Sequence, residues 1–205
     1  MTAALASIPN VYAHRLPLAR RLRNSSGDRS VPIEAEFREL YQRHARMVYN
    51  LSLNYLQGRE DAQEATQDVF VKVHERLAGF KGDASVTTWI YRITINTCLD
   101  RLKARKRKKR SLLGWLSLSD EQVERSAVVP FDHPGVMMED REALERVFVV
   151  INELPEKQKT ALLLKSMEDL SQNEIADVMG LSPKAVESLL SRARENLRRT
   201  LSNEG

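Results

Sequence analysis

The four histidines, His14, His44, His74 and His133, are scattered along 205 residues, and Cys98 is the chain's one cysteine. A metal centre needs several such ligands at defined spacing, so none is expected. The serines, tyrosines and carboxylates show no spacing of a nucleophile with its base, so no catalytic residue, cofactor or small-molecule substrate is expected either. The chemistry that the residue types do support is recognition. Arg101 to Arg110 reads RLKARKRKKR, eight basic residues with no acidic one, which exceeds the net charge of +4 carried by the whole chain. The remainder is therefore net acidic, and the basicity is a local device suited to phosphate in nucleic acid or at a membrane, or else a solvated helix end. A second cluster lies near the C-terminus. If Val186, Leu190 and Ala193 face inward on a helix, then Lys184, Glu187, Ser188, Ser191 and Arg192 form its outward row. Such a row fits the major groove, where base edges display distinguishable donors and acceptors, and Arg194, Arg198 and Arg199 further along would hold phosphates.

The elements that must position these groups read as helices. Residues 1–33 mix prolines, serines and arginines without a sustained period and are expected to be a flexible extension. From Glu34, the residues Phe37, Leu40, Tyr41, His44, Met47, Val48, Leu51 and Tyr55 recur at helical steps, with a stop expected near Gly58. A second helix from about Asp61 places Ala62, Ala65, Val69, Phe70, Val73 and Leu77 on one stripe and ends near Gly79. Val86 to Thr97, VTTWIYRITINT, fits two-residue alternation as well as a helix. Its continuation into helix-forming Leu99 to Arg110, in a chain with no partner strand, selects the helix. Residues 111–138 lose periodicity and gain Gly114, Pro130, Pro134 and Gly135, the signs of a flexible linker.

Beyond it, a helix near Glu139 to Asn152 carries Leu144, Val147, Phe148 and Ile151, and Pro155 sits at the first position of the next, whose apolar face is Leu162 to Leu164 with Met167. Ser171-Gln-Asn-Glu174 is a capping box ahead of Ile175, Ala176 and Met179. Gly180 then stops the helix, Ser182 caps the following one, and Pro183 opens it. The fold class expected is all-α: a helical bundle at 34–110 and a helix-turn-helix domain at 139–205. A plain helical hairpin would share the turn but would not need arginines gathered at one end. The reading requires separate front and rear modules and a final helix with one open face.

Two blocks carry a wider likeness: DAQEATQDVFVKVHERLAGFKGDASVTTWIYRITINTCLDRLKAR from Asp61, and LPEKQKTALLLKSMEDLSQNEIADVMGLSPKAVESLLSRARENL from Leu154. In this order they resemble sigma factors of the sigma-70 family, in the compact extracytoplasmic-function (ECF) group. The resemblance implies a promoter-recognition subunit of RNA polymerase whose front module corresponds to sigma region 2 and rear module to region 4. Asp61, Glu64, Gln67, Asp68 and Val71 would then dock on the clamp helices of the largest polymerase subunit. The loop Phe80, Lys81, Asp83, Ala84 and Ser85, with Trp89, Arg92 and Asn96, would receive the −10 promoter element as an unstacked single strand, flanked by Arg101, Lys103 and Arg105. Trp89 reads first as core. Lys184, Glu187, Ser188, Ser191, Arg192, Arg194 and Arg198 would meet the −35 element, while the rear module rests on the flap of the second-largest subunit.

Two departures from the family pattern stand out. Many members carry basic residues where this chain has Glu187 and Leu189, and the N-terminal extension has no counterpart. Glu187 suits a cytosine amino group or plain solvation, whereas Leu189 lies at the margin of the buried stripe. The resemblance also implies a cognate anti-sigma factor as a partner. No stretch approaches the roughly 20 apolar residues needed to cross a bilayer, and the arginines of the opening segment follow its apolar residues, the reverse of a secretory signal. With one cysteine, a cytoplasmic protein without membrane insertion is expected. The competing reading is a dimeric helix-turn-helix regulator that binds palindromic operators without polymerase.

Overall fold

A computed structural model of the chain describes residues 33–116 and 138–203. Almost all of the expected N-terminal extension and the interior of the expected linker lie outside the described residues. Seven helices appear there: α1 (Ile33–Leu56), α2 (Arg59–Leu77), α3 (Val86–Leu116), α4 (Met138–Glu153), α5 (Glu156–Ser166), α6 (Gln172–Met179) and α7 (Pro183–Asn203). All the described regular structure is helical.

The helix boundaries follow local chemistry. Helix α1 ends at Leu56, two residues before the expected glycine; Gln57 takes a left-handed φ of 64° and turns its side-chain amide back to donate to the Asn54 carbonyl at 2.7 Å. The α2 stripe is buried as expected at Ala62, Ala65, Val69, Phe70, Val73 and Leu77. On α1, Leu40, His44, Val48, Leu51 and Tyr55 are buried, but Tyr41 stays exposed. Pro155 occupies the cap position of α5 rather than its first turn, with an extended ψ of 138°. Helix α3 continues to Leu116, past the boundary expected at Arg110.

The ambiguous Val86–Thr97 segment is helical for a reason its pattern conceals. Ile90 and Ile93 face a cluster within the front module, with Val48, Val69, Phe70 and Val73. Tyr91, Ile95 and Cys98 face a second cluster that continues through Leu51 and Tyr55 into Ile151, Leu163, Leu164, Ile175, Val186 and Leu190. A helix buried on two sides shows apolar residues at nearly every position and loses the single stripe by which helices are read. The second cluster also corrects the expectation of separate cores: the rear module closes its core against α1 and α3 of the front one. Only the first cluster belongs to the front module alone.

Helix α7 keeps the open face that its pattern required. Val186, Leu190, Ala193 and Leu197 are buried, whereas the residues between them on the outer side are exposed. Leu190 is 1% exposed, so Leu190→Ala should leave a cavity and cost about 2–5 kcal/mol; urea unfolding followed by circular dichroism would read the loss. His44 offers a pH counterpart. Burial, assisted by the neighbouring charge of Arg43, pulls its imidazole down to about 4. The folded chain then binds fewer protons than the unfolded one between this value and the ordinary histidine range near 6.5. Stability should therefore fall as pH drops through that window, and thermal melts of His44→Leu should lose part of the slope.

Candidate nucleic-acid interface

The rear site is assembled by three local devices. Ser171 and Glu174 form the expected capping box, with the Ser171 amide donating to Glu174 Oε2 at 2.8 Å and the Glu174 amide to Ser171 Oγ at 3.3 Å. Gly180 adopts φ 64°, a conformation that favours glycine, and lets the Leu181 amide reach the Ala176 carbonyl at 3.0 Å. Ser182 Oγ then accepts from the Ala185 amide at 3.2 Å, which starts α7 with Pro183 in its first position. The consequence is a helix held at a fixed turn, presenting Lys184, Glu187, Ser188, Ser191 and Arg192 to solvent, with exposed Arg194, Arg198 and Arg199 beyond. Leu189 is partly buried against the core, as its marginal position suggested.

The front site departs from a simple division into docking and DNA-binding groups. Asp61, Glu64, Gln67 and Asp68 lie off the buried stripe of α2, and Val71 is 56% exposed, an unusual value for a large apolar side chain. Yet Arg101 closes on two of the carboxylates, with Nε and Nη2 donating to Asp68 Oδ2 at 3.1 and 2.6 Å and Nη1 to Glu64 Oε2 at 3.0 Å. Arg105 pairs with Asp61, and Lys103 lies 3.7 Å from Glu156 of the rear module. Residues read separately as polymerase contacts and phosphate contacts thus neutralise one another. Nothing in the linear spacing shows this, because the partners are more than thirty residues apart in sequence.

In the loop before α3, Lys81, Asp83 and Ser85 are exposed and Ala84 is half-buried. Ser85 has a structural task as well, since its hydroxyl accepts from the Thr88 amide at 3.0 Å and caps α3. Phe80 and Trp89 lie ring on ring, 4.8 Å between centroids with 35° between planes, and both pack against the front core. Asn96 is exposed and, with Arg92, lines a groove of about 330 Å³ closed on the far side by Glu156, Met179 and Leu181. Arg92 is committed elsewhere: it donates to the Val178 carbonyl at 3.3 Å and to the Asp177 carbonyl at the end of α6.

Sequence reasoning missed the polar groups of the seam between modules. Tyr55 donates its hydroxyl to Thr160 Oγ1 at 2.7 Å, and burial raises its ionisation well above the ordinary tyrosine range. Lys159 is buried with Nζ donating to the Tyr55 carbonyl at 3.2 Å and to Asn152 Oδ1 at 2.6 Å, 5.2 Å from the Tyr55 ring centroid. Burial pulls it down to about 8. Tyr91 donates to Glu168 Oε2 at 2.9 Å. The one available signal was a lysine and a threonine immediately before the apolar run of α5. Cys98 is buried and held up to about 11 by that burial, which makes its thiol a poor nucleophile. Among the described residues no group of His, Cys, Asp or Glu is placed to hold a metal, and no helix is long and apolar enough to cross a membrane.

These features define a helical DNA-binding protein with a helix-turn-helix at its rear and a charged, aromatic-bearing helix pair at its front. Residues 40–108 match the family model for Sigma-70 region 2, and residues 144–197 that for Sigma-70, region 4. The chain is 31% identical over 172 residues to the RNA polymerase sigma-H factor of Pseudomonas aeruginosa, covering 79% of this chain and 84% of the relative. It is also 31% identical over 159 residues to the ECF RNA polymerase sigma-E factor of Escherichia coli, covering 78% and 83%. The chain belongs to the sigma-70 family and is an ECF-type sigma factor.

Two solved structures share the fold. One is CnrH in complex with the cytosolic domain of CnrY, at a TM-score of 0.58 and 24% identity, covering 84% of this chain and 91% of that one. The other is the sigma factor RpoE in complex with the anti-sigma factor NepR from Bartonella quintana, at 0.59 and 18%, covering 82% and 97%.

The front ion pairs are largely exposed, so each contributes about 0–1 kcal/mol to stability. Replacing Asp61, Glu64 and Asp68 together by their amides should hardly move the melting temperature. The same change should raise the affinity of the free protein for duplex DNA at low salt. It should also steepen the salt dependence by up to about 2 in log–log slope, as two arginines become free for phosphate. Fluorescence anisotropy across a salt series would check both, with neutralisation of Glu60, Glu75 and Asp83 as the charge-matched control.

Proposed function

We propose that this chain binds core RNA polymerase through α2, reads the −10 element as a single strand with the front of α3 and its preceding loop, and reads the −35 element with α7. In this reading the front domain is 34–110, the linker 111–138 and the rear domain 139–205. The observation that carries it is the exposed row of α7 behind a capped, glycine-turned α6, in a chain whose front helices match region 2. Asp61, Glu64, Gln67, Asp68 and Val71 supply a polar rim around one exposed apolar contact, the composition expected of a docking surface. Lys184, Glu187, Ser188, Ser191 and Arg192 face base edges, and Arg194 and Arg198 hold the backbone. Phe80 and Trp89 offer a stacking surface for unpaired bases, which is sequence-tolerant, while Asn96 supplies hydrogen bonds, joined by Arg92 once it leaves the Asp177 and Val178 carbonyls.

The chain itself performs no bond chemistry; the polymerase does, and the protein acts with it in the cytoplasm. CnrH and RpoE were each solved with a partner, in the second case an anti-sigma factor. We infer the same kind of control here, by a cognate anti-sigma factor that covers the polymerase-binding faces.

Run-off transcription with purified core enzyme and a pool of genomic fragments tests the reading. Discrete transcripts that depend on the added chain are expected. Core enzyme that remains unselective in its presence would refute the reading. On a promoter found in this way, Lys184→Ala or Arg192→Ala should cost about 1–3 kcal/mol of promoter binding and relax preference at one position. Arg198→Ala should instead weaken all promoters by a similar factor.

A further inference from the structure

The two modules meet at a seam in which α5, the turn Met167–Leu170 and the end of α6 face α1 and α3, the turn and the end of α6 lying on α3. Glu168 lies at its centre and is 7% exposed. Its Oε2 accepts from Tyr91 of α3, and its Oε1 has no hydrogen-bond partner among the described residues. No cation faces it. Lys165, on the preceding helix, turns to the Leu170 carbonyl at 3.1 Å and lies 3.8 Å from Asp169. Arg92, next to Tyr91, is directed to the carbonyls of Asp177 and Val178. Lys159 is held by Tyr55 and Asn152. A carboxylate in such a place is costly, because one hydrogen bond from a neutral phenol does not replace its hydration.

We propose that the closed arrangement of the two modules is a proton-linked latch, in which Glu168 is buried as the neutral acid beneath Tyr91 and ionises when the rear module swings away from α3. The same closure ties Arg92 to the end of α6 and roofs the groove beside Asn96. In the sigma reading, on which this functional consequence rests, the closed molecule therefore covers part of the face offered to the −10 strand.

The sign of the linkage follows from the burial. Desolvation pushes Glu168 up to about 7 in the closed form, from 4.5 for a free side chain, against the opposing effect of the Tyr91 hydrogen bond. The closed form thus holds an extra proton between these values, and rising pH through this window favours opening. From pH ~5.5 to ~7.5 the opening constant should grow about twenty-fold, if opening restores the ordinary value. Lys159 acts in the opposite sense, since its closed-form value near 8 lies below the ordinary 10.5, but only at higher pH. The chosen window isolates the carboxyl group.

The test is small-angle scattering of the full chain at these two pH values, for the native protein, Glu168→Gln and Tyr91→Phe, with circular dichroism to confirm equal helix content. The native chain should expand on going to the higher pH. Glu168→Gln should stay compact at both, because the amide is neutral throughout, and Tyr91→Phe should open further at the higher pH. A native chain whose dimensions ignore pH, or a Glu168→Gln variant that expands like the native one, would overturn the proposal. Binding of a labelled single-stranded −10-type oligonucleotide at the higher pH separates the latch from the sigma reading. Glu168→Gln should bind at least about three-fold more weakly than the native chain, the closed population being larger. If scattering responds as described and oligonucleotide affinity does not, the latch stands and the assignment of that α3 face to DNA falls.

Discussion

Helix α3 is wedged between two bodies, and the rest of the molecule is arranged around that fact. Its Ile90 and Ile93 complete the core of α1 and α2, while Tyr91, Ile95 and Cys98 complete the core of the rear helices. Each large apolar side chain buried in this way contributes roughly 1.5–3 kcal/mol, so neither module closes its core without spending one face of the same helix. Modules linked by small polar interfaces move independently, and independence is lost as the shared surface becomes apolar and extensive. Here the shared surface is apolar at its centre, with Leu51, Tyr55 and Ile95 against the Leu163 and Ile175 side. The position of α7 relative to α2 is therefore a property of α3 packing.

The polar groups set into that seam set its character. Tyr55 and Thr160 satisfy each other, and Lys159 finds a carbonyl, an amide oxygen and an aromatic face. These contacts offset the cost of burial without making the seam tighter than an apolar one would be. What they add is register: a buried lysine has few positions in which its donors are met, so the rear helices dock in one place. Glu168 is the exception in this set, with one oxygen unmet among the described residues. A surface designed only for permanence would have no reason to keep it.

Most of the helices were legible because each ordinary helix buries one stripe. The α2 stripe, the inward residues of α7, the capping box and the glycine turn are all local, and local spacing states them completely. The exposed face of the candidate site was legible where it lay on one helix, as in the row from Lys184 to Arg192. Legibility failed where two elements were needed. Arg101 and Arg105 read as phosphate contacts because their carboxylate partners sit on another helix, and the tie of Arg92 to the Asp177 and Val178 carbonyls was hidden because those acceptors belong to the rear module. Val86 to Thr97 was ambiguous by itself for the same reason, since a helix with two buried faces loses its single stripe, and it was read as helix only from its continuation and the lack of a partner strand. The shared core itself was invisible: a buried surface has the same composition whether it meets its own module or another.

The same pairing geometry bears on how such a protein keeps its charge in check. A block of eight basic residues would attract any polyanion, and the chain would spend its time on non-specific DNA. Arg101 and Arg105 are instead covered by Glu64, Asp68 and Asp61, carboxylates exposed enough to exchange partners at little cost. A partner that brings its own cations to α2 would take over those carboxylates and return the arginines to solution beside α3. If α3 meets the strand as proposed, the positive field then rises beside that strand when the partner is present. Because the pairs are worth so little individually, the exchange demands no unfolding and no large motion, only a competitor with better-placed charge.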